Sequence, residues 1–279
     1  MKKSFILLWA FTCVAVILVG GSQQNKNAIA AKTEAGNLAL VANGEDFVRQ
    51  GFVSKDGWQI NFDHVYVNFS NATAYSTESA YEPQKGDTKD SIEYQNKVEF
   101  LDDSQTVDLA IGEADAQPIT VAKADVPEGF YNALSWKLSP ADANSAISGN
   151  TIAIVGKASK NGETIDFNLG FDRSIEYICG EFVGDERQGI VAADTPATVE
   201  ATFHFDHIFG DADTPSHDGL NQDALGFQPL AELASNGTLQ LDNEDLASQL
   251  SAEDYQKLTE AVTGLGHVGE GHCEMIEEQ

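Results

Sequence analysis

The sequence predicts a mainly β protein, an antiparallel β-sandwich with a short helical C-terminal extension. Short apolar runs recur from about Gly51 to Phe209, several of them alternating with period two and none separated by a helical pattern. Asn161-Gly162 sits between two such runs, a strong hairpin signal because both residues tolerate positive φ. Past Gly210 the spacing of apolar residues turns helical. Strands in succession without interleaved helices favour a sandwich over a βαβ fold.

Taken in order, Lys2 and Lys3 precede an apolar run from Phe5 to Gly20, and Ala28-Ile29-Ala30 offers small residues for cleavage. That pattern predicts a secretory signal peptide over residues 1–30 of a bacterial exported protein, periplasmic or secreted. The rival is an amino-terminal membrane anchor, although a run of about sixteen residues is short for spanning. Gly21 stands where a lipidated Cys would be needed after Leu18-Val19-Gly20, so no lipid anchor is expected, nor membrane insertion once the signal is removed.

Residues 31–210 are expected to form the β body. Trp58, Ile60, Phe62, His64 and Tyr66 should share one face of a strand, with Val65 and Val67 on the other. Further strands are expected over 100–111, 130–138, 152–158, 164–171, 175–182 and 199–209, and a long polar loop over 76–97. Residues 211–279 read as an acidic loop plus a helical tail packed on the sandwich. A short helix should start near Pro229 and end at Asn236-Gly237. Asp242 or Asn243 would cap a helix carrying Leu246 and Leu250. Ser251 with Asp254 would start one presenting Tyr255, Leu258 and Val262, stopped by Gly264 and Gly266.

The charge is lopsided, with 44 Asp+Glu against 16 Lys+Arg and a net charge of −28. Such a surface repels phosphate and argues against nucleic acid as a partner. It suits cation binding and saline surroundings equally. Cys179 and Cys273 remain after signal removal, and an even count in an oxidising compartment predicts a disulfide between them. Closing so long a loop is worth roughly 4–5 kcal/mol in the loop-entropy picture. Metal thiolates are the alternative.

Five of the six histidines lie at or beyond residue 204. Neutral imidazole is the commonest transition-metal ligand, and nearby acids serve as further ligands or orient the rings. His204 and Asp206 would share one strand face, with His207 opposite unless the strand ends there. His267 and His272 bracket a short Gly-containing loop, and the disulfide at Cys273 would fix His272. The expected metal set is thus His204, Asp206, His207, His267 and His272, with His64 next and His217 last, for zinc or copper. Asn61-Phe62-Asp63-His64-Val65 and His204-Phe205-Asp206-His207-Ile208 share a Phe-Asp-His core, by chance or as equivalent strands. Asp211, Asp213 and Asp218 suggest an irregular calcium site or a solvated loop. An EF-hand is excluded because its Gly and its twelfth-position Glu are missing.

Asp125-Val126-Pro127-Glu128-Gly129-Phe130-Tyr131, leading into a strand, resembles the Val-Pro-x-Gly-x-Tyr edge of bacterial exported β-sandwich metal-binding proteins. These are the methanobactin-associated copper-binding protein family and related lipoproteins. The resemblance covers about residues 50–210. It implies an extracytoplasmic sandwich with a metal role, a later strand supplying histidine, here the one holding His204 and His207. The family's Trp-rich metal segment and lipidated Cys have no counterpart in this sequence. The function expected is divalent-metal binding without catalysis, as carrier, buffer or sensor, with another exported or outer-membrane protein as a further partner. A surface adhesion module and a secreted hydrolase are the alternatives.

Overall fold

The strand β1 (Ala35–Asn43) opens the described part of the computed structural model and runs into a short helix α1 (Glu45–Gln50). Residues 35–276 are described, apart from 80, 83–87, 181–187, 194 and 269–270. The expected signal segment, 1–30, lies outside them. Residues Thr33–Gln279 form one compact unit. Among the described residues no helix is long and apolar enough to cross a membrane.

The chain continues through β2 (Phe52–Val53), β3 (Gln59–Thr77), β4 (Tyr94–Glu99), β5 (Gln105–Asp108), β6 (Ile119–Pro127), β7 (Gly129–Phe130) and β8 (Ala133–Leu138). Then come β9 (Ile152–Lys160), β10 (Glu163–Phe171), β11 (Ile175–Cys179), β12 (Ile190–Val191) and β13 (Ala197–Phe203). The helical turns α2 (Asp206–Phe209), α3 (Gly219–Asp223) and α4 (Gln228–Ala231) follow, then β14 (Thr238–Leu241), α5 (Asn243–Gln249) and α6 (Ala252–Thr263). Three short strands, β15 (Gly266–Val268), β16 (Gly271–His272) and β17 (Glu274–Ile276), finish it.

The protein is mainly β, with few and short helices. A five-stranded sheet runs β16–β15–β13–β1–β6, and β7 pairs with β12 in a small ribbon. A ten-stranded sheet runs β14–β10–β9–β3–β8–β11–β17, with β2, β4 and β5 also paired to β3. Both large sheets are mixed rather than antiparallel, because β1 pairs in parallel with β13 and β10 with β14. Each parallel pair joins segments far apart in the sequence, so no hairpin turn dictates their direction.

The Asn161-Gly162 hairpin forms as its sequence requires: Asn161 has φ 53° and Gly162 φ 87°, between β9 and β10. The face assignment in β3 changes. Its pairing with β9 slips between Phe62 and His64, and its pairing with β8 slips between Phe69 and Asn71. One extra residue flips every later side chain to the other face. Ile60 is buried before the slip; after it Val65, Val67 and Phe69 are buried, while His64 turns out to solvent. Other expected strands are shorter than read: 100–111 contributes only β5, and 199–209 ends at Phe203. The polar 76–97 segment contains the end of β3, a 3-10 turn at Lys89–Ser91 and the start of β4.

One contiguous core takes Leu38 and Leu40 from β1, Phe69, Trp136 and Tyr177 from the larger sheet, and Phe203 from β13. Phe203 meets Phe69 edge-on at 6.0 Å between ring centroids and Trp136 at 6.4 Å. In the tail, Asp242 accepts from the Asp245 N–H and Ser251 from the Asp254 N–H, the two caps expected. Helix α6 packs on α2, and α5 on β10 and β14. The tail is not wholly helical. β15 and β16 extend the smaller sheet and β17 extends the larger, so the last residues pass from one sheet to the other. The Cys179–Cys273 disulfide sits at that crossing, where β11 ends.

Gly266 faces the Tyr177 ring so closely that an added Cβ would lie 2.6 Å from two ring carbons. Gly266→Ala is therefore expected to cost roughly 1–3 kcal/mol, the usual penalty of overpacking, read as a lower urea midpoint. An unchanged midpoint would show that the ring yields freely.

Candidate metal centre

Parallel pairing of β1 with β13, Asn43 opposite Thr202, brings the chain out of both strands at one end of the sheet. Glu45 follows Asn43 by two residues and His204 follows Thr202 by two. On the other side of β13, β15 sets His267 opposite Thr202, and the His204 N–H donates to the Leu265 carbonyl at 3.1 Å. Beyond it the backbone of His272 in β16 pairs with His267. The His272 side chain and residues 269–270 lie outside the described residues.

The sequence places His207 across a strand from His204 unless the strand ends before it. The strand stops at Phe203 and the chain enters α2, closed by the Gly210 N–H donating to the Asp206 carbonyl. The reason lies in the aromatic residues. Phe205, Ile208 and Phe209 are fully buried and spaced i, i+3, i+4, which forms an apolar stripe only in a helical turn. Phe205 and Phe209 pack on Phe62 with centroids 6.4 and 6.2 Å away, and Phe209 also meets Phe227 at 6.1 Å. His204, Asp206 and His207 take the positions left over. One ligand atom from each falls within 4.8 Å of the others, the only such group of three among the described residues.

The electrostatics of this group are unusual. His204 is 8% exposed; its Nε2 makes no hydrogen bond and lies 3.6 Å from Glu45 Oε1. Asp206 Oδ1 is also buried without a hydrogen bond. Each buried polar atom left so costs about 1–3 kcal/mol, and such atoms in native proteins call for an explanation. His267 belongs to the neighbourhood: its ring stacks on His204 at 4.2 Å and meets His207 edge-on at 5.2 Å. His267 thus packs against both other rings without joining the group of three.

Glu45 was not in the set read from the sequence. It follows β1, whose buried Leu-Ala-Leu-Val-Ala run lacks the alternation that betrays a strand covered on one face. Its N–H donates to Asn43 Oδ1 at 2.9 Å, and Asn43 Nδ2 donates in turn to Glu200 Oε1 on β13 at 2.9 Å.

The other expected ligands lie apart from this group. His64 Nδ1 pairs with Asp108 Oδ2 at 2.7 Å, and its ring stacks on Tyr66. Asp108 Oδ1 accepts from the Val65 and Ala110 N–H groups, so this carboxylate is fixed by the backbone. Burial, then Asp108, push the Tyr66 phenol above its ordinary value. The two Phe-Asp-His segments are thus not equivalent strands, since one lies within β3 and the other follows the end of β13 and enters α2. His217 is exposed. In the acidic loop, Asp211 accepts from the Asp213 N–H and the Thr214 hydroxyl, and Asp218 caps α3 through the Leu220 N–H. Asn221 ties the loop by donating to the Asp211 and Thr214 carbonyls. Lys55 donates to the Asn221 carbonyl, and burial, then Lys257, hold its ammonium below its ordinary value.

No family model, curated protein or solved structure matches the chain.

The disulfide lies one residue beyond β16 and so restrains the hairpin that carries His267. Replacing both cysteines by serine is expected to lower stability by about 2–5 kcal/mol. Hydrogen exchange of the His204 amide, bonded to Leu265, should accelerate with it. Unchanged exchange at that amide would show the hairpin to be held without the disulfide.

Proposed function

We propose that this chain is an extracytoplasmic divalent-metal-binding protein, a zinc or copper carrier, buffer or sensor that catalyses no reaction, built as a β-sandwich. The observation that carries the reading is the buried His204 Nε2, without a hydrogen bond, grouped with Asp206 and His207. A cation bound there satisfies both orphaned atoms at once. The donors are imidazole nitrogen and carboxylate oxygen. Cys179 and Cys273 are joined to each other and supply no thiolate, which favours a divalent ion of the zinc or Cu(II) kind over soft Cu(I).

The setting supports the reading. A disulfide suits an oxidising compartment, as the expected signal segment does. Contacts of Phe203 with Phe69 and Trp136 across one core support two sheets packed face to face. A net charge of −28 raises the cation concentration near the surface. Handing a metal on requires a second exported or outer-membrane protein, which is the partner this reading implies.

Elemental analysis of protein purified without a histidine tag is expected to find about one zinc or copper per chain, or zinc uptake on addition. His204→Ala with His207→Ala should weaken zinc binding by more than the roughly 10–100-fold typical of losing a supporting residue. Unchanged affinity in the double variant would refute the site. A protein that takes up no metal would leave the surface-interaction module as the better reading.

A further inference from the structure

We infer that Glu45 is a fourth ligand of the His204–Asp206–His207 site, completing a zinc-type set of two imidazoles and two carboxylates; the inference rests on the metal reading above. Glu45 Oε1 stands 3.6 Å from the orphaned His204 Nε2. That is too long for a hydrogen bond. For this one pair the spacing matches two ligands sharing a tetrahedral zinc, which sit about 3.3–3.6 Å apart when zinc–ligand bonds are about 2.0–2.2 Å; the His204, Asp206 and His207 donors, within 4.8 Å of one another, must close up around the ion.

Two further features agree. The carboxylate is delivered to the site rather than swept there by a flexible stem. The parallel register of β1 on β13 sets its height, and Asn43, itself held by Glu200, fixes its backbone N–H. That backbone is in the left-handed region, φ 60°, which is unfavourable for glutamate. Charge supplies the second feature. Two neutral imidazoles with Asp206 alone leave a divalent ion one positive charge in excess beside a nearly buried ring. A second carboxylate brings the site to neutrality, as a poorly solvated ion requires. Two nitrogens and two carboxylates suit zinc. The set is too rich in hard oxygen for Cu(I) and too rich in nitrogen for calcium, which takes six to eight oxygens.

The rival role for Glu45 is an ion pair with a protonated His204, in which case zinc does not use it. Zinc titration of the oxidised full chain against a chromophoric chelator, with cobalt(II) spectra reporting coordination, separates the two. Glu45→Gln keeps the shape and removes the charge. It is expected to weaken zinc at least tenfold and change the cobalt spectrum. Glu45→Gly relieves the left-handed backbone, so it should fold and melt higher without metal, yet bind zinc as poorly. Wild-type affinity and spectrum in both variants, with binding lost in His204→Ala, would overturn the role of Glu45 and leave the metal reading standing. No zinc uptake by the wild type would overturn both.

Discussion

The parallel pairing of β1 with β13 is the constraint on which the rest of the site depends. Antiparallel neighbours send their chains off in opposite directions. Parallel ones release them together, so the segments after Asn43 and Thr202 emerge side by side. Both then turn into short helices, and the residues at those two turns, Glu45 and His204, come within 3.6 Å. Asn43 and Thr202 both donate to Glu200, which ties the ends of the two strands to one carboxylate.

Around that end, apolar packing decides which side chains remain for chemistry. Phe205, Ile208 and Phe209 bury themselves against Phe62 and Phe227, and this burial converts a strand-like sequence into a helical turn. Two imidazoles and a carboxylate are left together as a consequence. The crossing of the tail between sheets adds the second support. Gly266 allows β15 to lie against Tyr177, and Cys273 fastens the crossing to Cys179. His267 is thereby held on the His204 ring.

Much of the fold was legible where local rules operate alone. The Asn161-Gly162 hairpin and the caps at Asp242 and Ser251 each follow from a few neighbouring residues, and the joining of Cys179 to Cys273 follows from an even cysteine count behind an export signal. Face assignments in β3 were not legible, because its bulges depend on partners β9 and β8 and leave no mark in the strand's own composition. His204, Asp206 and His207 stand together in the sequence, and Phe205, Ile208 and Phe209 carried the helical spacing that places them. Reading that stretch as a strand gave weight to a period of two over a short window where a period of 3.6 also fits. Glu45 was beyond local reading altogether. Nothing near it signals a site, and it reaches His204 only through pairing between strands more than a hundred residues apart.

X-ray absorption at the zinc edge of the oxidised, zinc-loaded protein tests the central claim most directly. The expected first shell holds nitrogen and oxygen alone at about 2.0–2.1 Å, with the outer-shell scattering of two imidazoles and no sulfur at about 2.3 Å. A shell containing sulfur, or one of oxygen without imidazole, would contradict it.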